Sequence, residues 1–244
     1  MKQANLNHPH NFKWPIPVEK LRNIEINERF ICMFSGGKDS GLALSIACKK
    51  GVPMSLIHCI DNNNENSMFH AQSINIVERQ AEAMNIPLNI TYNSGWQNQT
   101  QLVRMYRKFA EQGVQSIVFG DIYLNENAKR QATLCACAGL VPRMPLWKLS
   151  KETLLAKMEE HKLLSVITLL TTKLIDKQWL GKIYNRDSYL YFQSLGLDPL
   201  GENGEFHTTL VNGDIFYKPL KYKLMQIENM FEGYRIIIDV NNET

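Results

Sequence analysis

The sequence lacks any apolar stretch near the roughly 18 residues that a membrane-spanning helix needs. Its longest apolar runs, residues 163–170 and 236–240, have the length of strands. It also lacks an excess of one charge, since 27 Lys and Arg against 24 Asp and Glu give a net charge of +3. A charge this small does not indicate a nucleic-acid-binding protein. With 244 residues, of which 44% are apolar and 21% charged, the chain has the composition of an ordinary globular protein.

Cysteine is scarce, and its five copies form an odd number. Cys32, Cys48 and Cys59 lie in apolar runs and are expected to be small core residues. Cys135 and Cys137 form a C-x-C pair without a second pair at zinc-ligand spacing, which does not favour a zinc site. Because the first residues, MKQANLNHPHNF, also lack the apolar segment of a secretory signal, we expect a cytoplasmic protein with reduced thiols.

Strand-like and helix-like segments alternate through the first half of the chain. This spacing predicts parallel βαβ units, and hence an α/β, Rossmann-like domain. The predicted strands are residues 30–34, 54–60, 88–92 and 116–119, and the predicted helices are residues 38–50, 68–85, 100–113 and 125–139.

The pattern changes near Trp147. We therefore predict three parts: an N-terminal extension (1–27), a nucleotide domain (28–146) and a smaller α+β domain (147–244). In the last part we expect helices at 151–161 and 179–196, strands at 164–171, 222–226 and 234–240, and a hairpin that joins 206–211 to 215–217.

Three polar segments follow predicted parallel strands: residues 35–40, 61–70 and 120–130. Ligands of such sheets bind beyond the carboxyl ends of the strands, so we expect these segments to share one rim.

The strongest motif is Ser35-Gly36-Gly37-Lys38-Asp39-Ser40, between a buried strand and a helix. Two glycines allow a sharp turn and close approach to a ligand, while the helix start offers N–H groups and a positive dipole end. This arrangement predicts a phosphate cradle. The spacing fits neither a Walker A loop nor a dinucleotide fingerprint. The alternative is a Gly-Gly turn with a Ser or Asp cap.

The six-residue motif resembles the PP-loop of the ATP pyrophosphatases, which cleave ATP between the α and β phosphates. Three further segments are similar to signatures of the diphthine–ammonia ligase family within that superfamily. They are Ser67-Met68-Phe69-His70, then Gly120-Asp121-Ile122 with Arg130, Gly139-Leu140 and Pro145-Leu146-Trp147, and finally Gly201-Glu202-Asn203-Gly204-Glu205-Phe206-His207-Thr208. The resemblance implies a HUP-like (adenine nucleotide alpha hydrolase-like) fold.

The resemblance also implies ATP and Mg²⁺ at the rim. Lys38 would neutralise charge as pyrophosphate leaves, Arg130 would contact the α-phosphate, and Asp39 or Asp121 would ligate Mg²⁺. His70 would contact nucleotide or substrate. The phosphate-binding residues would be Ser35, Gly36, Gly37, Lys38, Asp39 and Ser40, together with Gly120.

Glu202, Glu205 and His207 form a candidate substrate cluster. Two acids and an imidazole would bind a cationic substrate or ammonium and deprotonate it, with Glu205 in a catalytic role. The diphthine of the family's reaction carries a trimethylammonium group, which an acidic site favours. The alternative is a capped turn with a surface histidine.

The implied reaction is ATP-dependent amide formation. A carboxylate is adenylated with release of pyrophosphate, and ammonia then displaces AMP. The resemblance gives diphthine on a translation elongation factor as the acceptor, with a related carboxylate if the source makes no diphthamide. A homo-oligomer is a separate prediction. Two alternatives stay open: a sulfur transferase acting on RNA, with Cys135 and Cys137 as sulfur carriers, and a non-catalytic ATP sensor.

Overall fold

The computed structural model describes residues 12–60, 73–92 and 99–240. The predicted rim segment 61–70, with the substrate residue His70, lies outside the described residues. No helix within the described ranges is long and apolar enough to cross a membrane.

The described elements alternate as predicted through the first half. The helices are α1 (Val18–Arg22), α2 (Lys38–Cys48), α3 (Ile74–Met84), α4 (Gln99–Glu111), α5 (Asn125–Ala138), α6 (Lys151–Glu160) and α7 (Arg186–Ser194). The strands are β1 (Arg29–Met33), β2 (Val52–Ile60), β3 (Leu88–Tyr92), β4 (Ser116–Val118), β5 (Val141–Arg143), β6 (Leu164–Leu170), β7 (Phe206–Asn212), β8 (Lys223–Asn229) and β9 (Tyr234–Asp239).

The first sheet is parallel, with the strand order β3-β2-β1-β4-β5. The chain runs outward from β1 in one direction through β2 and β3, and in the other through β4 and β5. The order therefore reverses between β1 and β4, and the loops that follow these two strands border a crevice. The α/β, Rossmann-like prediction is confirmed, and the crevice lies where the phosphate motif begins.

The second sheet is antiparallel, with the order β7-β6-β9-β8. The predicted hairpin of 206–211 with 215–217 is wrong, because β7 pairs with β6 and residues 215–217 form no strand. Asp214, directly after the Asn212-Gly213 turn, bonds instead to His161 and Lys49. These contacts direct the chain away from β7.

The predicted helix at 179–196 is too long. A short 3₁₀ turn at Lys177–Trp179 comes first, and α7 begins only at Arg186. Asn185 sets this start, because its side chain accepts hydrogen bonds from the amides of Asp187 and Ser188. Such a cap satisfies N–H groups that the first helical turn leaves open.

One hydrophobic cluster joins the two sheets. Leu42 of α2, Leu154 of α6 and Leu210 of β7 are fully buried in it. The boundary near residue 146 therefore stays a prediction.

The N-terminal extension also contributes to the core, since Leu21 of α1 is fully buried. Its carbonyl accepts a hydrogen bond from Met144 N at 2.6 Å. Arg143 Nη1 donates to Lys20 O at 2.9 Å, while Arg143 Nη2 pairs with Glu28 Oε2 at 2.7 Å. Residues before the predicted nucleotide domain thus pack against its β5.

Candidate active site

A cavity of about 340 Å³ lies at the crevice between β1 and β4 and is closed on one side by the turn before β7. It brings together segments that are far apart in the sequence. The predicted residues that line it are Ser35, Lys38, Asp39, Ser40, Gly120, Asp121, Arg130, Glu202 and His207. The convergence of segments 35–40 and 120–130 on one rim is thus confirmed.

Hydrogen bonds fix the shape of residues 35–40, which are called the phosphate loop from here on. Ser35 N donates to Ser40 Oγ at 3.2 Å, the two hydroxyls lie 3.0 Å apart, and Ser40 Oγ donates to Gly37 O at 3.2 Å. Gly36 has φ of +87°, a left-handed conformation that favours glycine. Gly36 and Gly37 form this turn and do not line the cavity.

Gly120 allows the loop after β4 to approach the start of α2. A Cβ at this position would lie 2.9 Å from Ser40 N and 3.0 Å from Asp39 C, both backbone atoms. A side chain would therefore push the two rim segments apart.

Lys38 is the cation of the loop, and only 5% of it is exposed. Its Nζ lies 2.7 Å from Asp39 Oδ2, and 5.8 and 5.5 Å from the ring centroids of Tyr184 and Phe206. Its backbone N donates to Thr208 Oγ1 at 3.1 Å. The charge is thus held between the loop and the C-terminal part of the site, where carboxylate and aromatic faces both stabilise it.

Three carboxylates give the cavity its electrostatic character. Burial raises the pKa of Asp121 to about 6, although the Arg130 charge opposes the shift. Burial and the charge of Asp39 raise the pKa of Glu202 well above its usual range, although Lys38 opposes this shift. Negative charge is therefore crowded here, and a cation entering the cavity would be stabilised.

Asp39 and Asp121 suit a magnesium ion. Asp39 Oδ1 is buried and has no hydrogen-bond partner among the described residues. Within the same ranges, no group of three or more His, Cys, Asp or Glu could hold a metal by itself. Magnesium at phosphate sites is commonly held by one or two carboxylates plus the phosphates, so the two acids fit such an ion.

Glu205 is not brought into the cavity, contrary to its predicted substrate-binding and catalytic role. Its carboxylate accepts hydrogen bonds from Asp198 N (3.0 Å), Asn203 N (3.1 Å) and Asn203 Nδ2 (3.0 Å). It therefore stabilises the turn that precedes β7, and the predicted cluster keeps only Glu202 and His207.

His207 lines the cavity as a neutral imidazole. Burial and the nearby Lys38 charge lower its pKa to about 4. It can exchange hydrogen bonds with a ligand near neutral pH, but it adds no positive charge.

His58 also lines the cavity, and the sequence analysis missed it. Only 1% of this residue is exposed, and burial lowers its pKa, so the ring is neutral. Its Nδ1 lies 2.8 Å from Phe34 O, which assigns the ring proton to Nδ1. The available signal was a histidine inside the mostly apolar β2.

Cys135 and Cys137 lie in α5 and are both buried. Burial raises the pKa of both thiols, far above the ordinary value for Cys135. A sulfur carrier needs an accessible thiolate, so their placement does not support the sulfur-transferase alternative.

Models of known protein families match both parts of the chain that contribute residues to the cavity. The model of the diphthamide synthase N-terminal domain matches residues 28–142, and that of the diphthamide synthase C-terminal domain matches residues 150–243. The chain belongs to the diphthamide synthase family. In this diphthamide synthase family member, the phosphate loop and Asp121 come from the first matched segment, and Glu202 and His207 come from the second.

Two solved structures are similar to this diphthamide synthase family member. One is a predicted subunit of tRNA methyltransferase from Methanocaldococcus jannaschii, at 14% identity and a TM-score of 0.40, covering 78% of this chain and 98% of that one. The other is U34-tRNA thiolase NcsA from Methanococcus maripaludis with its 4Fe–4S cluster, at 15% identity and a TM-score of 0.36, covering 58% and 61%. No curated protein matches significantly.

Proposed function

We propose that the chain is an ATP-dependent amide ligase that adenylates a carboxylate and then transfers ammonia to it. One observation carries the proposal: a single cavity joins the phosphate loop to a half-buried acidic residue, Glu202, supplied by the other half of the chain. The phosphate loop suits a polyphosphate, and Glu202 suits a cationic group.

In the first step, a carboxylate oxygen attacks the α-phosphorus of ATP, and the bond to pyrophosphate breaks. The loop and the start of α2 bind the β and γ phosphates. Lys38 neutralises charge on the departing pyrophosphate, and Arg130 binds the α-phosphate through its planar guanidinium. Asp39 and Asp121 would hold magnesium, which supplies further neutralisation of phosphate charge.

In the second step, ammonia attacks the acyl carbon, and the bond to AMP breaks. Ammonium must first lose a proton, because only neutral ammonia is a nucleophile. Glu202 accepts this proton, since a carboxyl with a raised pKa is a stronger base than an ordinary carboxylate.

The acceptor that best suits the acidic side is a carboxylate beside a fixed cation. Diphthine has both groups, which supports the family's diphthine-to-diphthamide reaction for this chain. The partners are then ATP, ammonium and a diphthine-bearing elongation factor. None of the five cysteines, all of which lie in the described part of the chain, is in a disulfide. A cytoplasmic location and a homo-oligomer both stay predictions.

The experiment supplies ATP, Mg²⁺, ammonium and a diphthine-bearing elongation factor, and measures AMP, pyrophosphate and the mass of the factor. The matched control is the same factor with diphthamide already formed, in which the modified residue no longer carries a carboxylate. We expect equal amounts of AMP and pyrophosphate, and amidation of the diphthine factor alone. ATP binding without AMP would favour the sensor, and ADP with inorganic phosphate would contradict adenylation.

A further inference from the structure

The peptide that joins Gly36 to Gly37 is anchored from outside the phosphate loop. Gly36 O accepts one hydrogen bond from Leu210 N at 2.8 Å and a second from Gln80 Nε2 at 2.9 Å. The same Gln80 nitrogen donates to Leu210 O at 2.6 Å. Gln80, on α3, is fully buried. One amide group thus bonds both to the loop and to β7.

The two hydrogen bonds to Gly36 O hold the peptide between Gly36 and Gly37, the peptide of the loop that can rotate most freely. Rotation of a peptide plane changes ψ of one residue and φ of the next, and here both residues are glycines, which tolerate wide ranges of each. The carbonyl and the following N–H of a trans peptide point in opposite directions. Gly37 N donates a hydrogen bond to Ser35 Oγ at 3.4 Å, and Ser35 lines the cavity. Holding the carbonyl back therefore keeps this N–H directed toward Ser35, on the cavity side of the loop.

The rotated peptide would present its carbonyl oxygen to the phosphate instead. A negative dipole end in place of an N–H donor would repel the anion. Binding of a polyphosphate is therefore favoured when the N–H of this peptide, and not its carbonyl oxygen, is on the cavity side.

The second hydrogen bond of Gln80, which it donates to Leu210 O, connects the loop peptide to the acceptor side of the cavity. Leu210 belongs to β7, whose first residues include the cavity residue His207. The same strand meets the loop again, where Lys38 N donates to Thr208 Oγ1 at 3.1 Å. A shift of β7 would therefore disturb the loop at two points.

We propose that Gln80 is a positioning residue that fixes the Gly36–Gly37 peptide and couples phosphate occupancy to β7. This inference rests on the proposed function in one respect, that the anion bound by the loop belongs to ATP. Gln80 itself does not line the cavity, and it acts through Gly36 and Leu210.

The test compares wild type with Gln80→Met, which keeps the side-chain length and removes both donated hydrogen bonds. The ligand is α,β-methylene-ATP with Mg²⁺, and affinity is measured by calorimetry. We expect about tenfold weaker binding, which corresponds to about 1.4 kcal/mol. Hydrogen exchange of residues 206–212 is the second readout. In wild type the nucleotide should slow exchange in this segment, and in Gln80→Met the slowing should be lost.

Ser55→Ala is the matched control. Its hydroxyl is equally buried and bonds to the carbonyls of Leu56 and Pro87, but it contacts neither the loop nor β7. We expect this variant to lose some thermal stability while keeping wild-type affinity and nucleotide-dependent protection of 206–212. If Gln80→Met behaved like this control, Gln80 would be merely structural and the inference would be overturned.

Gln80→Asn serves if Gln80→Met does not fold, because it keeps an amide that is one methylene too short to bridge both partners. Wild-type affinity and protection in a folded Gln80→Asn would also contradict the inference. Neither readout needs an acceptor or turnover. A wild-type protein that binds the nucleotide but never forms AMP would therefore disprove the proposed ligase activity alone.

Discussion

The phosphate loop and the acidic turn of residues 201–205 face the same cavity, but they are built differently. In the loop, the groups that face the ligand are adjacent in the sequence, and their backbone is fixed by Ser35, Ser40 and Gln80. In the turn, Glu205 stabilises the backbone while Glu202, three residues earlier, reaches the cavity. The contiguous motif therefore contributes several neighbouring residues to the cavity, whereas of the two similar carboxylates in the turn one lines the cavity and the other stabilises the backbone.

Removing the cation of the loop should give the largest effect. Lys38→Met keeps the apolar stem and deletes the charge that we propose stabilises departing pyrophosphate. We expect AMP formation to fall about 1,000-fold, in the range measured when one transition-state donor is lost. Pyrophosphate release measures the effect. The control is Lys50→Met, which removes an exposed cation beyond the other end of α2, and equal losses in both variants would contradict the assignment.

The next largest effect should come from the acidic residue of the turn that reaches the cavity. Glu202→Gln removes the proposed base, so we expect amide formation to slow roughly 100-fold with the KM for ATP nearly unchanged. The deficit should shrink as pH rises, because free ammonia then forms without the enzyme. Rates of amide formation between pH 7 and 9 measure this trend, and a deficit that stays constant would argue against a base at Glu202.

The difference between the loop and the turn also explains which features could be predicted from the sequence alone. The regular spacing of strands and helices was enough to predict the parallel sheet, and the compact motif 35–40 was enough to predict residues that line the crevice, while their binding of phosphate stays a prediction. The role of Glu205 could not be predicted, since it depends on amides of Asp198 and Asn203 that only the folded turn presents. His58 and Gln80 were missed because only the folded structure shows that these two polar residues are buried.

A smaller effect, and one on stability, should follow from the other carboxylate of the turn. Glu205→Gln replaces an acceptor of three hydrogen bonds with a group that accepts through one oxygen only. We expect a loss of about 1 kcal/mol, or about 2–4 °C in Tm, with normal activity per folded molecule. Calorimetry together with the AMP assay tests this. Lost activity at unchanged Tm would remove the distinction between the two glutamates.

The smallest effect concerns the pH dependence of stability. Folding raises the pKa of Glu202, so the folded state favours the protonated carboxyl. The contribution of this carboxyl to stability is present at acid pH and is lost as the pH rises through the raised pKa. Glu202→Gln should therefore match the wild-type Tm near pH 5 and exceed it by about 2 °C near pH 9, without nucleotide or metal. Thermal unfolding across this range measures the difference. A constant difference at all pH values would contradict a raised pKa.

Helix α1 has a practical consequence for anyone who shortens this protein. The matched family segment starts at residue 28, but the packing around β5 starts earlier, at Leu21 and at the Lys20 carbonyl bound by Arg143. Since β5 is an edge strand, α1 also covers a border that would otherwise be open to pairing with another chain. A recombinant protein trimmed at residue 28 would therefore be prone to self-association, and the preceding helix belongs in any soluble version.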